Sequence, residues 1–65
     1  MIGDNIKFYR KKNQLTQDDI AEACNVTRQA VSKWENGESL PTVDNLYALS
    51  RLLHTSVDDI LIGEK

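Results

Sequence analysis

The sequence predicts an all-α domain, a compact bundle of five short helices, and three observations predict it. Apolar residues recur three and four positions apart along the 65 residues. Thr16, Thr27, Thr42 and Ser56 each stand where a helix N-cap belongs, because a side-chain oxygen there can accept from a backbone N–H that the first turn leaves unpaired. Asn25, Asn36 and Gly37 stand where helices stop, the two residue types that most readily take the left-handed backbone of a helix end.

The first helix is expected from about residue 3 to 13. Ile6, Tyr9 and Arg10 recur along it with Ile2 one turn earlier, and Phe8 falls off that stripe. Asn13 and Gln14 end it. Thr16 caps the second helix, Asp19 completes a capping box with it, and Ile20, Ala21 and Cys24 form its buried side. A turn of about three residues leads to Thr27, the cap of the third helix. Asn36 and Gly37 close that helix, Glu38 to Pro41 form a loop, and Thr42 opens a fourth helix with Leu46, Leu49 and Leu53 on one inward stripe. His54 falls at its end. Ser56 with Asp59 reads as a second capping box, opening a fifth helix that carries Val57, Ile60 and Leu61.

Length and composition narrow the class further. Sixty-five residues make one domain, here taken as 1–65, near the lower limit at which a chain buries enough surface to fold without staples. A single cysteine excludes an internal disulfide, and no Cys/His zinc spacing occurs. MIGDNIKFYR lacks the long apolar core of a secretion signal and no apolar run approaches a membrane span, so a cytoplasmic protein is expected. Catalysis is not: the one histidine and the one cysteine are thirty positions apart, and glycines at 3, 37 and 63 build no phosphate loop. No cofactor, metal or small-molecule ligand is indicated, and the Asp18-Asp19 and Asp58-Asp59 pairs are accounted for as caps.

The third helix carries the functional signal. At about 100° per residue, Arg28, Gln29, Ser32 and Lys33 fall within a sector of roughly 140°, while Thr27, Ala30, Val31 and Trp34 fall in the opposite half. One face docks and the other reaches out. The outward set suits the edges of base pairs, since arginine forks onto guanine, glutamine pairs bidentately with adenine, and serine and lysine reach bases or phosphates. Double-stranded DNA is therefore the expected partner. The net charge of −2 opposes this at first sight, but residues 1–37 net +1 and residues 38–65 net −3, so the acidic end is expected to face away from the duplex.

LTQDDIAEACNVTRQAVSKWENG (Leu15 to Gly37), Pro41 after the loop, and LYALSRLLHTSVDDIL (Leu46 to Leu61) together resemble the phage repressor and Cro type of helix-turn-helix domain found in bacterial transcription regulators. The resemblance implies a λ repressor-like fold that binds a palindromic operator as a homodimer, with the third helix in the major groove. It implies base reading by Arg28, Gln29, Ser32 and Lys33, phosphate contacts by Gln17, Thr27 and Asn36, and a structural ion pair between Arg10 and Glu35. The chain departs from the family's pattern at Glu38, Ser39 and Leu40, where many relatives place lysine or arginine. It also departs at Asn25, which stands for a common glycine, and at Cys24, which stands for an aliphatic residue. The dimer surface is expected on the last two helices, at Leu52, Val57, Leu61 and Ile62. The alternative is an antitoxin or anti-regulator that masks another protein with its acidic half.

Overall fold

The computed structural model describes residues 1–63; residues 64 and 65, part of the acidic C-terminal stretch, lie outside the described residues. Five helices follow one another in it: α1 (Ile2–Lys12), α2 (Gln17–Cys24), α3 (Arg28–Asn36), α4 (Val43–Leu52) and α5 (Val57–Ile62), with no strand among the described residues. α1 thus begins and ends one residue earlier than its apolar stripe suggests. Asn13 forms its C-cap: its N–H bonds the Tyr9 carbonyl, and the Gln14 N–H already turns back to the Lys11 carbonyl, so the chain leaves the helix at residue 13.

Local chemistry sets the other boundaries. Thr16 Oγ1 accepts from the Asp19 N–H at 3.0 Å while the Asp19 carboxylate accepts from the Thr16 N–H at 2.9 Å, a complete capping box. Asn25, at φ 57°, and Gly37, at φ 80°, close α2 and α3 in the left-handed conformation. His54 also takes positive φ, 56°, just past α4, where the Thr55 N–H bonds back to the Ser50 carbonyl. The second capping box forms only by half. Ser56 accepts from the Asp59 N–H at 3.0 Å, but the Asp59 carboxylate accepts from the Thr55 hydroxyl at 3.0 Å, a closer reach from the preceding turn.

The core gathers Ile6 and Tyr9 from α1, Ile20, Ala21 and Cys24 from α2, Val31 and Trp34 from α3, Leu49 and Leu53 from α4 and its exit, and Ile60 from α5. Every helix contributes, so none buries its apolar face without the others. Leu46 packs on this core as a half-buried neighbour. Gly3 lets α1 approach the end of α3: a Cβ there would collide with the Trp34 carbonyl oxygen and lie 2.7 Å from that of Glu35. Two asparagines tie helix to helix. Asn5 Nδ2 donates to the Ile60 carbonyl at 2.8 Å, and Asn13 Nδ2 donates to those of Tyr9 at 2.7 Å and Leu53 at 3.0 Å.

Candidate nucleic-acid interface

Val31 and Trp34 anchor α3 in the core, and that fixes which of its residues face solvent. Arg28, Gln29 and Lys33 are exposed and Ser32 is half-buried. Thr27 Oγ1 accepts from the Ala30 N–H at 3.1 Å, so the first turn of α3 begins at Arg28. Arg28 Nε lies 4.0 Å from Asp18 Oδ1, and both side chains are largely in water. Such a contact holds arginine weakly and leaves its fork free to turn elsewhere.

Gln17, Arg28, Gln29 and Ser32 line one groove of about 230 Å³. Gln17 opens α2 and Arg28 opens α3, so the N-termini of both helices border it, each with a partial positive charge and unpaired backbone donors. The groove therefore offers anion-binding backbone beside side chains suited to bases. Lys33 and Asn36 do not line it. Asn36 borders instead a crevice of about 450 Å³ at the far end of α3, among Met1, Ile2, Trp34, Leu40 and Leu61.

Behind the groove lies a buried polar network. Arg10 forks onto Glu35, Nε to Oε2 at 2.7 Å and Nη2 to Oε1 at 3.2 Å, and its Nη1 donates to the Leu15 carbonyl at 2.9 Å. The Glu35 side chain is 3% exposed, so this is a desolvated, bidentate pair. Gln17 Nε2 donates to Glu35 Oε1 at 3.1 Å. The carboxylate thus orients the glutamine at the groove's edge, leaving its amide oxygen and second amide hydrogen for a ligand. This link joins residues 18 apart, and no spacing within a helix announces it.

Cys24 is buried, and burial pushes its thiol up, which keeps it protonated and inert. Phe8 is exposed and packs edge-on against Tyr9 with ring centroids 5.1 Å apart. Of the expected dimer residues, Leu52 and Val57 are half-buried, whereas Leu61 and Ile62 are exposed. Among the described residues no cluster of three or more metal-ligating side chains occurs, and no helix is long and apolar enough to cross a membrane.

The fold and this outward face define a class, and comparison with known proteins places the chain in it. Residues 6–60 match the helix-turn-helix family, to which the chain belongs. It is 42% identical over 64 residues to the HTH-type transcriptional regulator DicA of Escherichia coli, covering 98% of this chain and 47% of DicA. It is 36% identical over 64 residues to antitoxin PezA of Streptococcus pneumoniae, covering 98% of this chain and 40% of PezA. The chain therefore spans half or less of the length of these relatives. Its fold is that of the P22 c2 repressor solved in complex with a synthetic operator, at a TM-score of 0.91 and 36% identity over 98% of this chain and 97% of that one.

Proposed function

We propose that the chain, acting as one binding domain over residues 1–65, is a sequence-specific regulator of transcription. It represses by occupying a palindromic operator as a homodimer, with α3 in the major groove of each half-site. Arg28, Gln29, Ser32 and Lys33 read base edges; Gln17, Thr27 and Asn36 hold phosphates and set the register. The work is binding and not catalysis, it needs no cofactor or small molecule, and it takes place in the cytoplasm. The observation that carries this reading is that α3 turns its apolar side into the core and leaves Arg28, Gln29 and Ser32 beside the N-terminus of α2, with Lys33 exposed further along the helix, in a chain that superimposes end to end on a repressor solved with its operator.

Selection from random duplexes, followed by footprinting, tests it. Two half-sites about one helical turn apart are expected, because a two-fold dimer presents its α3 helices at that spacing. Arg28→Ala and Gln29→Ala should each relax preference at one or two base pairs, costing about 1–3 kcal/mol of discrimination. A protein that works by masking a partner, the reading that the acidic C-terminal half and the likeness to PezA favour, keeps its activity through both changes and gives no selected sequence.

A further inference from the structure

The outer face of α4 has no partner among the described residues. Val43 is 80% exposed and Tyr47, one turn later, 58%, an apolar stripe on a helix whose inner side is already committed through Leu49. At about 100° per residue, Asp44 and Arg51 both fall along one edge of this stripe, within roughly 20° of each other. Asp44 makes no ion pair among the described residues. Arg51 lies over the Tyr47 ring, 5.9 Å from its centroid, and Nη1 donates to the Tyr47 hydroxyl at 3.1 Å.

We infer that this face is the seam between two copies of the chain, α4 against α4 in antiparallel. Self-complementarity names the occupant. A two-fold axis crossing α4 midway between Tyr47 and Ala48 exchanges positions 44 and 51 and keeps each on its own edge, so Asp44 of one copy meets Arg51 of the other, twice per dimer. The same axis lays the two Tyr47 rings side by side and covers both Val43 side chains. Opposite charges seven residues apart on one edge, with apolar groups between them, suit an identical helix running the other way. This seam differs from the Leu61 and Ile62 surface on α5. It rests on the homodimer in the proposed function and assigns its interface.

Charge reversal tests it in the intact chain. Sedimentation equilibrium up to millimolar concentration, at low salt, should show a reversible dimer. Asp44→Arg and Arg51→Asp should each weaken it about tenfold, because each sets two pairs of like charges in contact. The double variant Asp44→Arg/Arg51→Asp should return to within about threefold of the parent, since the pairing is restored with its sign inverted. Ile62→Ser should leave the dimer unchanged. Circular dichroism verifies that every variant is folded. The inference is overturned by a chain that stays monomeric throughout, by single reversals without effect, by a double variant as weak as the singles, or by a dimer lost in Ile62→Ser; in the last case the α4 face meets some other partner. Binding to an isolated half-site is measured alongside. Monomeric variants should retain it, and its absence in the parent speaks against the DNA-binding reading while leaving the test of the seam intact.

Discussion

Glu35 receives two donors of the Arg10 guanidinium and one from the Gln17 amide, so one buried carboxylate holds α1, α2 and α3 in fixed relation. Removing it strands a nearly buried guanidinium. Glu35→Ala should cost about 3 kcal/mol, a large share of the roughly 3–10 kcal/mol that a chain of this length holds, and urea melts will measure it. Replacing both partners, Arg10→Met with Glu35→Leu, should cost much less, because no uncompensated charge remains. Cys24 makes a different prediction. Its folded thiol titrates higher than the unfolded one, so its contribution to stability is whole below the unfolded thiol's pKa and is lost as pH rises through the folded value. Stability should then fall more steeply in the parent than in Cys24→Ala as pH rises above the ordinary thiol range, as urea melts at increasing pH will show.

Among the elements, α1 and α3 show a local preference yielding to packing. Alanine is a better helix former than glycine by about 1 kcal/mol, and by that measure Gly3→Ala stabilises α1. The neighbouring backbone decides otherwise. A Cβ at this position meets the carbonyl oxygens of Trp34 and Glu35, both main-chain atoms unable to swing aside. Gly3→Ala should therefore lower stability by about 2 kcal/mol or more, as overpacking against a rigid wall does, and thermal melts read the sign directly. Displacing α1 from α3 also pulls Arg10 from Glu35, so operator affinity should fall with stability.

For the molecule as a whole, charge is divided between its ends. The N-terminal 37 residues carry the small positive excess and the remainder, beginning with Glu38 in the loop after α3, the acidic one. Few cations are available for counterion release, so affinity depends strongly on each. With Arg28 and Lys33 the two cations on the exposed face of α3, about four charges per dimer, operator binding should fall about a hundredfold between 50 and 200 mM salt. Titration by fluorescence anisotropy across that range measures the slope, and Lys33→Ala should make it shallower by about one contact per copy.

Caps, periods and stops belong to single turns of the chain, and for that reason the sequence by itself determined the five helices, the inward stripes and the polar face of α3. Thr16 finds Asp19, and Thr27 finds the Ala30 N–H, wherever the rest of the molecule lies. The pairing of Arg10 with Glu35 was legible only through the family resemblance, since 25 residues separate them. Only the tertiary structure decided that Gln17 is held by Glu35, that Asn5 and Asn13 reach carbonyls 55 and 40 residues away, and that Gly3 must stay small. Each of these depends on how one helix is set against another, and that placement comes from the ten buried side chains acting together, a property no local spacing encodes.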